Sequence, residues 1–521
     1  MKKIGIIIIV LALSVFYLAY VYFSRLDTEN NAKDFALQTA STNAAMVFAF
    51  QNDKSFYDIM SGQTLFQQVL GADKMNHLNA LTNKIRADGT LRKLLQDETM
   101  YVSLLPDSNK TINFLYTLQV TDKKNLKALA NYLKIKPNPD GAAQHTVLKL
   151  NDSASVFVNI KDNVITASTS AQLVAQANKN RKANEFTAYI KHANTMNKNV
   201  LAQLYLNFNN APSLLKNMIA GRLNGELSVL NNQRIYAILN YNYSKEHILF
   251  NGNTDVMEAE NYLNLFSNVS PQTIAIANIL PENTANYTVY ATDSYAKWLP
   301  KLQKLQQKTK QKDQVDKMIA DVNKKYHTDL PKIFNTFIGN QFITFQLSTS
   351  EKLAAFSLSN GDKLDQLLLE ASSDYNPDIR VFKTAGIISG FFGAPFNNFS
   401  RPYFTVVDNY LVVANNASTV QSFLNSYKQN RLLSKTPKYL AALNQLTNTC
   451  NISYYINPEN SKNIFRHNVL LPFYRHLRAD SGLRSFDTFY YQMSADKDRF
   501  ITNLLLNKYS KPEVPDSLQN R

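Results

Sequence analysis

The chain has one cysteine, Cys450, and one tryptophan in 521 residues, and only 18% of its residues are charged. A lone cysteine excludes an intramolecular disulfide, and its place in an apolar run reads as a small buried hydrophobe. Motifs that carry chemistry are missing as well. There is no phosphate-cradling GxxxxGKS/T, no dinucleotide glycine fingerprint, no G-x-S-x-G elbow and no complete calcium loop. The seven histidines, His77, His145, His192, His247, His327, His467 and His476, lack the i, i+4 or cysteine-paired spacing of a zinc site. Ser213-Leu-Leu-Lys216 and Ser294-Tyr-Ala-Lys297 match S-x-x-K, but neither has the companion motifs of an acyl-transferase, so both read as chance. No residue is predicted to be catalytic, and no cofactor or metal is expected. Zinc fingers, aromatic-basic RNA-binding signatures and basic heptad helices are absent too, which argues against nucleic acid as a partner.

A hydrophobic content of 45% with 11% aromatics rules out a mainly disordered chain. The formal charge of +16 favours anionic partners. Met1-Lys2-Lys3 precedes twenty uncharged residues, Ile4 to Phe23. As a helix rising about 1.5 Å per residue, that run would span a hydrocarbon core of about 30 Å. The run ends in bulky residues, not a small-x-small cleavage site, which predicts an uncleaved signal anchor. The lysines before it place the N-terminus in the cytoplasm and the bulk of a single-pass protein in the periplasm or outside the cell.

The strongest pattern is internal. Ser155 to Leu215 and Pro402 to Phe465 share one grammar: Asp162-Asn163 matches Asp408-Asn409, and Tyr189-Ile190 matches Tyr439-Leu440. Asn207-x-x-Asn210 likewise matches Asn457-x-x-Asn460, and further on Ser244-Lys245-Glu246 matches Asp496-Lys497-Asp498. Self-similarity at a nearly constant offset predicts two copies of one module. Most successive strands are joined by tight turns, which implies antiparallel sheets with helices packed on one face. The predicted fold is therefore α+β: an N-terminal transmembrane helix, then two tandem homologous modules. The expected divisions are a cytoplasmic stub 1–3, the anchor 4–23, a stalk 24–43, module one 44–255, module two 256–508 and a disordered tail 509–521. The first strand of module two is expected at Thr273 to Ala277.

The copies differ in two places. Module two carries about 12 extra residues around Gly386 to Phe396, where glycines argue against a stable helix and Ile387, Ile388, Phe391, Phe392 and Phe396 are too apolar for a solvent loop. The insert either folds back as a core cover or presents an apolar surface to lipid or a partner. Lys301 to Lys325 holds eight lysines against three aspartates. It reads as a protruding polar helix pair or, through Lys304, Lys308, Lys310 and Lys312, as a contact with an anionic surface.

The stretch Val406-Val-Asp-Asn-Tyr-Leu-Val-Val-Ala-Asn-Asn-Ala-Ser, with Thr436-Pro437-Lys438-Tyr439 beyond it, resembles a family of membrane-anchored bacterial envelope proteins of unknown function built from repeated strand-rich modules. The resemblance brings no catalytic residues. It implies a non-enzymatic protein whose external modules bind or scaffold another envelope component, protein or lipid. Two alternatives stay open: a lipid or lipoprotein carrier with an apolar cavity, and an envelope enzyme with a dispersed site.

Overall fold

In the computed structural model the described residues are 34–509, apart from 108–110, 136–144, 180–182, 194–199, 221–232, 245 and 480–481. The expected anchor at Ile4 to Phe23 and the tail from position 510 lie outside them. Among the described residues no helix is long and apolar enough to cross a membrane.

Short strands in tight succession form most of the framework. In the first half they are β1 (Met46–Gln51), β2 (Thr99–Pro106), β3 (Ile112–Gln119), β4 (Thr146–Lys149), β5 (Ser155–Lys161), β6 (Val164–Ser168), β7 (Ala202–Asn207), β8 (Ile235–Tyr243) and β9 (His247–Val256). After the two-residue β10 (Gln272–Thr273) come β11 (Thr284–Ala291), β12 (Ile338–Leu347), β13 (Lys352–Leu358), β14 (Ser372–Asn376), β15 (Ile379–Phe382), β16 (Tyr403–Val407) and β17 (Tyr410–Ala414). The chain closes with β18 (Thr449–Cys450), β19 (Ile452–Ile456), β20 (Thr488–Asp496) and β21 (Arg499–Asn507). Nineteen of these strands make one sheet, and β10 pairs with β18 in a small second one.

Every pairing in the large sheet is antiparallel. Its first half runs β4-β5-β6-β3-β2-β1-β7-β8-β9. Its second half continues β21-β20-β19-β11-β12-β13-β17-β16-β15-β14. The strand order read outward from the seam is the same on both sides, with β14 added at the far edge.

The seam is the pair β9–β21, and there Asn251 lies opposite Asn503. With 244–246 matched to 496–498, those two asparagines are counterparts, so the strands meet about a local two-fold. A second such contact lies nearby. An isolated antiparallel bridge joins Ile219 to Val469, which are also counterparts when Asn207 and Asn210 are matched to Asn457 and Asn460. Segments cross the seam in both directions: Ile235 belongs to the second half's core and Phe486 to the first half's. On the crossing arm His476 Nε2 donates to the Val69 carbonyl at 2.9 Å, and Ser485 Oγ donates to Gln68 Oε1 at 2.6 Å.

Helices cover both faces, which corrects the expected one-sided arrangement. Along β8, Leu239 joins one core while Ile238 joins another on the opposite side. Along β21, Phe500 and Leu504 face one way and Leu505 the other. The first face carries Ala72–Ala87, Gly89–Leu95 and Lys123–Tyr132 over the first half, and Tyr295–Lys308, Lys312–Tyr326 and Leu330–Phe337 over the second. The second face carries Phe35–Ser41, Ala171–Lys179 and Glu185–Ala193, then Ala417–Lys428 and Pro437–Leu443. Strand β7 is accordingly buried at all six positions, as a strand covered on both sides must be.

Two further expectations are corrected. From Phe35 to Ser41 the expected stalk is a helix, capped by the Asp34 carboxylate, whose Ala36, Leu37 and Ala40 are buried against the sheet. The run at Thr273 to Ala277 is not the first strand of the second half: Ile276–Ile279 is a 3-10 turn, and β11 takes the strand's place. Ile276 and Leu280 are fully buried there, so their apolarity reflects burial in a turn and not strand pairing.

Candidate functional site

The sheet's register lets the two halves be compared residue by residue. In the first half Phe50, Met100, Leu118 and Ile165 lie side by side across β1, β2, β3 and β6. In the second half the same row is Tyr290, Phe342, Phe356 and Leu411 across β11, β12, β13 and β17. Both rows face the first helical layer. What fills the space between row and helices differs.

In the second half the filling is the insert. Ile387–Phe392 forms a six-residue helix despite its glycines, which corrects the expectation of a non-helical loop. The Phe392 ring lies 4.0 Å from Phe356 and 5.5 Å from Phe342, centroid to centroid, and Phe396 lies 5.3 Å from Phe356. Ile387, Ile388, Phe391, Phe392 and Phe396 are all 0–1% exposed, so none of the five presents a surface to lipid or a partner. The carbonyls left over by so short a buried helix need donors. Tyr262 OH supplies Phe392 O at 2.8 Å, Tyr295 OH supplies Phe391 O at 3.0 Å, and Gln306 Nε2 supplies Gly390 O at 2.9 Å. At Gly390 the insert lies directly against the lysine-rich segment: a Cβ there would come within 2.8 Å of Met318 Cε and 3.3 Å of Val315 Cγ1, so a larger residue would need the Met318 side chain to move.

Met318 belongs to the lysine-rich segment, so the two stretches in which the halves differ pack on each other. The lysines themselves point outward. Lys304 and Lys310 are exposed, Lys308 pairs with Glu260 at 3.3 Å, and Lys312 pairs with Asp316 at 2.7 Å.

In the first half the same space is partly empty. A cavity of about 60 Å³ lies between Met100, Leu118, Val158 and Ile165 on the sheet and Leu81, Leu91, Leu95 and Leu129 on the helices. Its side-chain lining is almost wholly apolar, so the cavity offers water too few partners and suits hydrocarbon instead. At about 24 cal/mol per Å³, leaving it empty costs roughly 1.4 kcal/mol. No sequence signal marked it, because each lining residue is an ordinary core residue. The space appears only when the register shows what the other half inserts there.

A second, polar cleft of about 480 Å³ opens at the end of β7 and is lined by Ser41, Asn43, Asn184, Glu185, Asn207 and Asn210, among others. Here the matched asparagines serve the backbone. Asn207 Oδ1 accepts from the Asn209 amide at 3.1 Å, and Asn210 Nδ2 donates to the Ala44 carbonyl at 3.1 Å. In the second half Asn457 Oδ1 accepts from the Asn460 amide, while Asn460 Nδ2 donates to the Glu282 and Thr284 carbonyls. Both pairs tie a strand exit to the neighbouring chain.

The perturbed ionisable groups are chiefly buried tyrosines, Tyr101, Tyr262, Tyr287, Tyr295 and Tyr490 among them, raised well above the ordinary phenol value by burial. Burial pushes the Cys450 thiol up to about 12, which leaves it protonated and unreactive. His247 is lowered by burial. No group of three or more His, Cys, Asp or Glu among the described residues could hold a metal ion.

Comparison with known proteins adds one finding. Residues 353–470 match a family model described as a protein of unknown function, DUF3352. That span runs from β13 to the end of the seam bridge and includes the insert. No curated protein and no solved structure matches the chain.

Proposed function

We propose that this chain is a non-catalytic binding protein made of two copies of one module, in which the first copy holds the hydrocarbon chain of a lipid and the second holds its own side chains in that place. The observation that carries the reading is the matched floor: Met100 and Leu118 face a cavity where Phe342 and Phe356 face Phe392 and Phe396. A duplicated module needs only one ligand site if the second copy is plugged, and the plugged copy then acts as a rigid platform. The expected anchor at Ile4 to Phe23 would hold the binder at a membrane facing the cell envelope, within reach of lipid. A resting volume of about 60 Å³ is less than half the roughly 150 Å³ of an engineered cavity that binds benzene. Only the end of a chain fits until the helical cover moves.

The test is photolabelling of the full-length protein with a decanoic acid bearing a diazirine at its tail, followed by peptide mapping. Labels on the peptides holding Leu118, Leu129 and Ile165, removed by Leu118→Phe, are the expected result. Labels confined to exposed surface, unchanged by that substitution, would refute the reading.

A further inference from the structure

We infer that the polar cleft at the end of β7 is a separate binding site, built for a neutral, hydroxyl-rich ligand of saccharide type. It is independent of the apolar cavity, because the helices that frame it, Phe35–Ser41 and Glu185–Ala193, cover the opposite face of the sheet.

The cleft contains an unmet donor. Asn207 lines it and is 5% exposed, with its Oδ1 held by the Asn209 amide. Its Nδ2 has no hydrogen-bond partner among the described residues, yet is not sealed from solvent. Asn210 is used in the opposite sense: its Nδ2 donates to the Ala44 carbonyl, and its Oδ1 has no partner among the described residues. An unused donor and an unused acceptor thus line one cleft, and a hydroxyl group, donor and acceptor in one, answers either.

The wall around them is fixed and electrically balanced. Asn184 Nδ2 donates to Ser41 Oγ at 3.3 Å, Ser41 Oγ lies 2.6 Å from Thr187 Oγ1, and Thr187 Oγ1 donates back to Asn184 Oδ1 at 3.0 Å. This closed circuit ties the two helices together, so a ligand meets a wall already in place. Glu185 is the only charged side chain of the described lining, and Arg234 answers it at 2.6 Å. An ion would find no unpaired opposite charge there, and an apolar ligand would leave the amides unsatisfied. The volume of about 480 Å³ falls within the roughly 300–1,000 Å³ of small-molecule sites.

The second half closes the same place. Asn460 holds the Thr284 carbonyl as Asn210 holds that of Ala44, and the Thr284 amide bonds Pro281 O as the Ala44 amide bonds Ser41 O. Ser41 to Asn43 therefore stand where the second half has Pro281 to Asn283. There the Glu282 amide donates to Arg431 O at 3.1 Å and the Leu433 amide to Leu280 O at 2.8 Å, about an antiparallel bridge between Pro281 and Leu432. Ser41 to Asn43 form no bridge, and the Ala40 carbonyl, counterpart of Leu280's, accepts from Ser103 Oγ at 2.7 Å instead. One copy zips the segment shut and the other keeps it apart.

The experiment is saturation-transfer NMR on the full-length protein in a sugar-free detergent. The probes are maltose, cellobiose and diacetylchitobiose, with glucuronate, glucosamine and trialanine as charged and peptide comparisons. At least one neutral disaccharide should receive saturation. Asn207→Asp keeps the acceptor for the Asn209 amide but removes the donor, so it should weaken that binding at least about tenfold at an unchanged melting temperature. Asn209→Trp, at an exposed position of the lining, should abolish it, and this variant decides alone if Asn207→Asp proves less stable. Leu118→Phe, in the apolar cavity, should leave it unchanged. Transfer to no disaccharide, transfer only to the charged sugars or the peptide, or disaccharide binding indifferent to the cleft variants would overturn the assignment.

Discussion

Replacing Phe392 with alanine should turn the plugged half into an open one. The ring is fully buried and lies within 5.6 Å, centroid to centroid, of Phe342, Phe356, Phe396 and Tyr295. Removing such a ring loses its transfer free energy and leaves a cavity, together about 3–5 kcal/mol. The chain contains a built-in reporter. Its single tryptophan, Trp298, is 1% exposed and 4.9 Å from Phe342, so its fluorescence follows the second half's core. With a urea dependence of about 3 kcal/mol per molar, Phe392→Ala should lower the Trp298 unfolding midpoint by about 1–1.7 M. Tyr375→Ala, at a ring 60% exposed, is the control and should shift it little. The variant should also acquire a second photolabelling site, on peptides holding Phe342 and Phe356. A midpoint shift below about 0.3 M would refute the claim that the insert is core.

Four further outcomes are expected. Leu118→Phe, which copies the second half's Phe356, should fill the first-half cavity, changing stability by at most about 1 kcal/mol in either direction while abolishing decanoate labelling. Gly71→Ala should weaken the crossing arm by more than about 1 kcal/mol, since Gly71 has φ 80° and a Cβ there would come within 2.7 Å of His476 Cε1. Thermal unfolding followed by tyrosine signals from both halves would show the loss. A disulfide thiol reagent at pH 8 should modify Cys450 only at the rate of unfolding, because burial keeps the thiol protonated up to about pH 12. Finally, the buried tyrosines have folded pKa values above the unfolded value near 10, so the folded state retains protons that the unfolded state releases. Stability contributed this way is complete below pH 10 and falls as pH rises beyond it, by about 1.4 kcal/mol per pH unit for each such tyrosine. Tyrosinate absorbance should therefore appear together with unfolding and not before it.

Local features of the fold were legible in the residues because their causes are local. Asp162 and Asn163 both take positive φ in the β5–β6 turn, and Asp408 does so in the β16–β17 turn, as their side chains allow. Gly62 and Gly71 end and begin helices, as glycines interrupting an apolar run at helical spacing do. Long-range features were not legible, because partners far apart in sequence leave no mark on one another. Nothing near His247 indicates that β9 pairs with Asn507 of β21, and apolar residues at alternate strand positions look alike whether one face is covered or two. Gly386 to Phe396 was recognisable as too apolar for solvent, but its helix depends on Tyr262, Tyr295 and Gln306, which donate from distant segments. The cavity was the least visible feature, being a difference between two similar cores.

The most direct test of the central claim, that the first half keeps a dry apolar site which the second half has filled, is a crystal of the protein under xenon pressure. An apolar cavity without water takes up xenon. Xenon between Leu118 and Leu95, with none beneath Phe392, is the result the account requires. Ordered water in the first-half cavity, or xenon equally in both halves, would contradict it.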